Sequence, residues 1–504
     1  MTHVNRGVVQ EWLLMLAAVF AIFWAILRAC VQSITIDEAD TYLLFAERSL
    51  SWVWFPSSNN HVLNTLLMWM TTHSLGATSL TVRTPALVGA ILYVFTCYFL
   101  CRNITDQFSL RLPLFICLTY NPFILDFLVA ARGYSLALAL LLAAIAIPVW
   151  HRSKGDVSLR GACILASLAL GLSFTANFSF AFVDLAAFLG IVGWAVRRRE
   201  TESVVRMVEF CVLPGLFVAL LISGYTLANW PKGELWWGAK SLSEMTKSLV
   251  QSSLYQLSPG LRGAGLYSLM NLLRPVLLPL LGIMCAGRLV VTRVDGSWLQ
   301  DPNARWLGRF AAALAGIAAL SVSMSWLAFR FAKLPLPLGR TGIYLVPLCT
   351  LVAGIIAAAP DRSLISRWLR RGITGAFIGL ACYFMLCLRL TYFKEWEWDA
   401  DVKDVYSVLA RYNHAYGVKD VGMTWWYVAS LNYYRAASKA ETFPEFAPSI
   451  PEPGPGESIY VLHGLFDREF LEQQKLVTVY RGKFTDVVVA VRRDGPVPIA
   501  RAEP

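Results

Sequence analysis

Ile34-Thr35-Ile36-Asp37-Glu38-Ala39-Asp40-Thr41-Tyr42 follows directly on the first long apolar run of the chain, residues 12–31. Its reading decides the fold, because it lies where the chain first leaves an apolar phase and it carries three carboxylates (Asp37, Glu38, Asp40) in four positions. Phosphate headgroups repel carboxylates, and a simple membrane anchor requires none. Acids held at a membrane exit suit chemistry on a substrate borne by lipid. The plain structural alternative is that Asp37 N-caps a helix running through Leu43 and Ala46, with Asp40 in its first turn favoured by the helix dipole.

The rest of the chain supports the membrane setting. Its 504 residues are 57% hydrophobic and 15% charged, with a mean hydropathy of +0.54. An average soluble domain carries ~25% charge. The net charge of +11 suggests nucleic acid, but most arginines sit in short loops between apolar runs, a pattern of membrane topology. No nucleic-acid partner is expected. The ten cysteines lie in or at the edges of apolar segments, and no Cys-x-x-Cys pair occurs, so neither a zinc knuckle nor a disulfide framework is supported. Arg28 ends the first run, and no small-residue cleavage site follows, so a retained span is expected. Arg28 either snorkels to the surface or faces the bundle interior.

Apolar runs of spanning length fall at about 12–32, 81–101, 110–130, 133–150, 161–179, 180–196, 207–228, 265–290, 309–329, 341–359 and 372–390. The stretch 159–196 is too long for one span, and a hairpin near Asn177 divides it. With the N-terminus in the cytoplasm, the inner loops hold eighteen basic residues and the outer loops before the tail ten, in a greater length of chain. Residues 33–80, 229–264 and everything after about 391 then lie outside the cytoplasm. Both long outer loops are rich in Trp, and 42–46 and 62–69 read as short helices lying in the interface.

After Tyr392 the pattern becomes that of a soluble domain. Helices are expected at 402–416 and 427–437, and strands at 418–423, 458–462, 476–480 and 485–491. The Pro-rich stretch 443–457 (FPEFAPSIPEPGPGE) excludes regular structure. The expectation is a polytopic α-helical membrane protein of about eleven spans (residues 1–390) carrying a small α/β extracytoplasmic domain (391–504). No Gly-rich phosphate loop is present, so a soluble nucleotide-sugar donor is unsupported.

A first span followed by Asp37-Glu38 in a long outer loop with interfacial helices resembles the GT-C superfamily of membrane glycosyltransferases. The closest likeness is to the bacterial branch related to protein O-mannosyltransferases and lipid A aminoarabinose transferases. The turn Ala131-Arg132-Gly133-Tyr134-Ser135-Leu136 and the stretch Arg340-Thr341-Gly342-Ile343-Tyr344-Leu345-Val346-Pro347 belong to the same resemblance. It implies transfer of a sugar from a polyprenyl-phosphate carrier to an acceptor (protein, lipid or glycan) outside the cytoplasm, with Asp37 as base or acceptor-orienting group and Glu38 beside it. Members often have a basic residue followed by Pro-Pro later in this loop. Here Asn59-Asn60-His61-Val62-Leu63-Asn64 stands instead, which leaves His61 as the nearest equivalent.

Independently of the family, such chemistry needs a base for the acceptor proton and cations for the departing phosphate. Arg132, in a very short outer turn, and Arg340, at the outer start of a span, lie against the topological bias, and a phosphate partner would explain both. Headgroup contacts are the alternative. Asn60, His61 and Tyr344 complete the substrate-binding candidates, with His61, Asn60 and Asn64 also readable as one polar helix face. Asp126 and Asp184 lie inside apolar runs, so each faces the bundle or a cavity. No cofactor is required by the reading, and a divalent cation is compatible with it. A transporter or lipid flippase is the competing class, but repeated halves and paired broken helices are missing from the sequence. A lipid-linked glycan polymerase or ligase would carry its large outer loop late rather than first.

Overall fold

The computed structural model describes residues 3–154, 157–199, 202–254, 265–438, 443–450 and 457–493. The expected features at 255–264, 451–456 and 494–504 lie outside the described residues.

The chain begins with α1 (His3–Val31) and a first connection containing α2 (Ile36–Thr41), a π-helical continuation Tyr42–Ala46, a 3-10 turn Leu50–Trp54 and α3 (Val62–Leu75). There follow α4 (Ser79–Ile104), α5 (Phe108–Thr119), α6 (Pro122–Phe127), α7 (Tyr134–Lys154), α8 (Leu159–Ala176), α9 (Ala181–Arg198) and α10 (Val204–Ala228). The second half holds α11 (Leu242–Ser253), α12 (Gly265–Val294), α13 (Ser297–Gln300), α14 (Pro302–Ala332), α15 (Leu345–Ala358) and α16 (Leu364–Leu386). Among the described residues nine helices are long and apolar enough to cross a membrane, and α5 and α15 are shorter apolar helices. These eleven helices answer one for one to the apolar runs. The protein is an integral membrane protein, and the hairpin falls at Asn177, which ends α8 and caps the turn into α9.

The packing follows from residue size. On α1 the buried face is Leu14, Ala18, Ala21, Ala25 and Ala29, while Trp12, Leu16, Val19 and Phe23 are exposed. Water gives no reason to bury apolar surface in a bilayer, so close backbone approach through small residues drives association, and large apolar side chains face the lipid. At the α8–α10 crossing a Cβ on Gly171 would lie 2.3 Å from the Gly215 carbonyl oxygen, so only glycine permits that approach. At the end of the bundle away from Asp37, Arg288 is buried and bonded to Asp361 (2.9 Å) and to the carbonyl of Ile356 (2.8 Å).

Beyond the bundle, α17 (Val402–Tyr416) and α18 (Val428–Ser438) pack with a four-stranded sheet of β1 (Val421–Met423), β2 (Ile459–His463), β3 (Val477–Arg481) and β4 (Val487–Val491) in the order β1-β2-β4-β3. β1 pairs parallel with β2, and the other pairs are antiparallel. β4 is buried throughout, and with Val405, Leu409 and Leu431 it builds a second apolar core separate from that of the bundle. A short helix, α19 (Arg468–Gln473), was not expected from the sequence.

Candidate active site

The stretch 34–42 folds as a helix start, but its cap is not Asp37. Thr35 is the N-cap: its Oγ1 accepts from the Glu38 N–H (3.2 Å) while Glu38 Oε2 accepts from the Thr35 N–H (3.0 Å), a reciprocal capping box. Asp37 sits one position into the helix and is released from that duty.

The two adjacent acids point to different partners. Glu38 is fully buried and receives Arg83 in a fork, Nε at 2.8 Å and Nη2 at 2.7 Å, together with the Ala131 N–H at 2.8 Å. Arg83 spends its other protons on the carbonyls of Ala29, Gln32 and Ser33. A buried pair survives only when its remaining donors and lone pairs are satisfied, and this one is. The exit of α1, the start of α2, the start of α4 and the 131–133 turn are thereby joined at one point. That turn needs glycine: Gly133 has φ +74°, and a Cβ there would lie 2.0 Å from the Ala176 carbonyl oxygen.

Asp37 faces two guanidinium groups. Arg340 Nη1 donates to its Oδ2 at 2.8 Å, Arg132 Nε lies 3.9 Å from the same oxygen, and the Arg340 guanidinium lies over the Trp396 ring at 5.7 Å. Burial raises the Asp37 pKa, but Arg132 and Arg340 outweigh it and hold the group below its ordinary value. Arg83 takes the charge of the adjacent Glu38, and the net shift of Asp37 is downward. Asp40, one turn on, behaves oppositely: burial and then the charge of Asp37 push it up to about 6, against the pull of Arg132.

The other candidates divide. Arg132 is buried, and its fork is taken: Nη1 donates to Thr41 Oγ1 (2.7 Å) and the Asp37 carbonyl (3.2 Å), and Nη2 to Asn59 Oδ1. Its Nε has no hydrogen-bond partner among the described residues. Arg340 is more open and also lies 3.7 Å from Glu395. His61 is buried beside Tyr134 (ring centroids 5.9 Å), with neither ring nitrogen partnered among the described residues. Burial, then Arg132 and Arg340, push its pKa well below the ordinary value, so it is a neutral donor or acceptor and not a cation. Asn60 is turned into its loop, bonded to the carbonyls of Val53 and Phe55 and to Thr65. Asn64 donates to the Ala131 carbonyl. Tyr344 is buried against Phe180 (5.5 Å) behind the Arg340 turn.

Sequence reading missed the strap of residues 392–400. Arg28 forms a buried pair with Asp126 (2.5 Å), whose second oxygen accepts from the Lys394 N–H (2.8 Å). Asp399 accepts from the Ile36 N–H (2.8 Å) and from Ser430 Oγ (2.9 Å). The strap so pinned delivers Trp396 and Glu395 to the site; only the local density of Trp and Glu marked it in the sequence. Asp184 is bonded to Ser173 (2.9 Å) inside the bundle.

An apolar cavity of about 540 Å³ opens among α11, α12, α15 and α16, lined by Leu254, Leu281, Val346, Phe377 and Phe384 among others. Its α11 wall is tied to the Arg340 turn, where the Gly339 N–H donates to Ser248 Oγ (2.9 Å). Among the described residues no three His, Cys, Asp or Glu side chains gather as metal ligands.

No protein-family model matches the chain, and no curated protein does. Solved structures do. ArnT from Cupriavidus metallidurans in the apo state superposes with a TM-score of 0.52 at 11% identity, covering 96% of this chain and 98% of that one. The same protein bound to undecaprenyl phosphate gives 0.51 at 11% identity, over 96% and 99%. Arabinofuranosyltransferase AftD from Mycobacteria gives 0.43 at 14% identity, over 95% of this chain and 41% of that one, too low to bear on the fold. The chain shares the fold of ArnT over nearly its full length.

Proposed function

We propose that the protein is a glycosyltransferase that moves a sugar from a polyprenyl-phosphate carrier to an acceptor on the outer side of the plasma (inner) membrane, with Asp37 as the base. The observation that carries this reading is the Asp37 carboxylate gripped by Arg340 and approached by Arg132 at one end of the bundle. The fold, shared with a protein crystallised with undecaprenyl phosphate, and an apolar cavity suited to an isoprenoid chain support it. The loop arginines support the outward orientation of the site and of residues 391–504.

In the free protein Asp37 is a weak base, because guanidinium charge stabilises its ionised form. A donor phosphate competes for Arg340, whose planar fork matches phosphate oxygens. Arg132 Nε offers a second N–H. Once Arg340 turns to the phosphate, Asp37 keeps its burial and loses a counter-charge, so its affinity for a proton rises. The acceptor hydroxyl oxygen then bonds to the anomeric carbon as the sugar–phosphate C–O bond breaks. The hydroxyl proton passes to Asp37, and the bonding pair leaves with the lipid phosphate, whose growing charge strengthens its contact with Arg340. Glu38 positions: it fixes α2 and the 131–133 turn.

The test is purified protein supplied with polyprenyl-phosphate hexose, pentose and aminosugar. Release of the polyprenyl phosphate by wild type, and not by Asp37→Asn, is expected. Proteoliposomes that instead carry the intact lipid-linked sugar across the bilayer without cleaving it would establish the transporter reading.

A further inference from the structure

The strap that brings Trp396 to Asp37 carries Trp398 two residues on, facing a different neighbourhood. Its ring meets that of Trp426 (centroids 6.1 Å, 61°). Trp426 stacks on Trp425 (4.1 Å, 24°) and lies nearly parallel to Phe466 (6.4 Å, 20°), which in turn stacks on His463 (4.4 Å, 31°). Three separate segments supply these five rings: the strap, the β1–α18 connection and the end of β2 with the loop after it. Trp425 and Phe466 are 56% and 68% exposed and belong to neither apolar core. Rings of this size contribute most when buried, so a cluster left open has a binding role to explain it.

The polar groups of the cluster narrow the ligand. Trp398 Nε1 is buried and has no acceptor among the described residues. His463 Nδ1 accepts the N–H groups of Leu465 and Phe466 (both 3.3 Å), which places the ring proton on Nε2 as a donor. Asp467, Glu469 and Glu472 outnumber Arg468 along the adjoining loop and α19, an excess of acid that repels an anionic bilayer surface. Flat apolar faces with N–H donors and no net positive charge match a sugar ring. Its C–H face lies on an exposed aromatic ring while a hydroxyl reaches the His463 Nε2–H at the edge.

We propose that Trp398, Trp426, Trp425, Phe466 and His463 form a subsite for the saccharide part of the acceptor. Calling that ligand the acceptor rests on the transferase reading; the sugar site itself does not. The cluster is mechanically continuous with the reacting end: Asp399, next to Trp398, holds the Ile36 N–H at the head of the helix that bears Asp37. One segment thus carries a ring of the subsite and holds the head of that helix.

The experiment uses full-length protein in nanodiscs passed over immobilised oligosaccharides of hexose, hexosamine and pentose. Retention of wild type on at least one sugar is expected, with a tenfold or greater loss in both Trp425→Ala and Phe466→Ala. These two side chains are exposed, and monodispersity after purification checks folding. Asp37→Asn should keep full retention while losing transfer, so the two ideas fail separately. Retention no better than on blank matrix, or equal retention of both variants, overturns the proposal. So does quenching of the Trp425 fluorescence, read as wild type minus Trp425→Phe, by brominated phospholipid in the nanodisc, since that marks a bilayer contact instead.

Discussion

Arg340 and Asp37 stand 303 positions apart in sequence and meet in a 2.8 Å ion pair. The pair couples the first connection of the chain to the turn before α15, and together with Arg132 it lowers the proton affinity of the group proposed to act as base.

Asp37→Asn preserves the shape of the side chain and removes its capacity to take a proton. The capping box of α2 does not involve Asp37, so insertion and folding should be normal. Loss of a general base costs ~10²–10⁴-fold in rate. Near-normal turnover of the purified variant would reject the assignment.

Arg340→Lys keeps the charge but not the planar fork, and Arg340→Ala loses both. Transfer should fall in that order, in kcat as well as KM, because the contact strengthens as the phosphate departs. Arg340→Ala also removes a counter-charge from Asp37, so the acidic limb of its pH–rate profile should move to higher pH. A drop confined to KM with an unmoved profile would make Arg340 a simple anchor.

Glu38→Gln leaves the Arg83 guanidinium buried without its counter-charge. Breaking such a pair costs ~3–5 kcal/mol. The expected result is a large loss of thermal stability in detergent, measured by intrinsic fluorescence. A variant that melts like wild type yet is inactive would instead give Glu38 a direct chemical role.

Asp40 provides a pH signature. Its folded-state pKa of about 6 stands above the ordinary 3.8, so the folded protein holds this proton more tightly than the unfolded chain does. The stabilisation is whole below pH ~3.8 and is lost as pH rises through about 6. Asp37, shifted downward, loses its contribution as pH falls from its ordinary 3.8 through its own lowered value, outside that window. Between pH 4 and 7 the melting temperature of wild type should therefore decline relative to Asp40→Asn. Parallel curves would show that Asp40 titrates normally.

Gly133→Ala puts a methyl group 2.0 Å from the Ala176 carbonyl oxygen at a backbone angle that side chains rarely adopt. Poor yield and a lowered melting temperature should result, whereas Ala at Gly193, which has open space around it, should be neutral. Equal stability of both variants would contradict the fit of this turn.

The local features were legible in the sequence. Apolar run length placed eleven helices, and periodicity placed α17 and the strand segments, because each depends on neighbours in the chain. Asp37, Arg132 and Arg340, each singled out in the sequence, do meet in space. What escaped was pairing over distance. Arg83 was one more loop cation until Glu38 met it, and Arg28 and Asp126 were two costly charges in apolar runs until they met each other. The cap escaped for a different reason: Thr35 and Asp37 are both good caps, and the choice between them turned on Glu38 lying three residues after Thr35.

The strap has a consequence for how the protein is made. The Ile36 N–H, at the head of the Asp37 helix, waits for Asp399, which is 363 residues further on. At ~5–20 residues per second a ribosome takes on the order of tens of seconds to cover that distance. For most of that interval the nascent chain has threaded its first segments but lacks Arg340, and to its end it lacks Asp399. On the proposed function a partly synthesised chain is inert toward its substrates, and competence arrives late, once the final quarter of the polypeptide has emerged and settled onto the first connection.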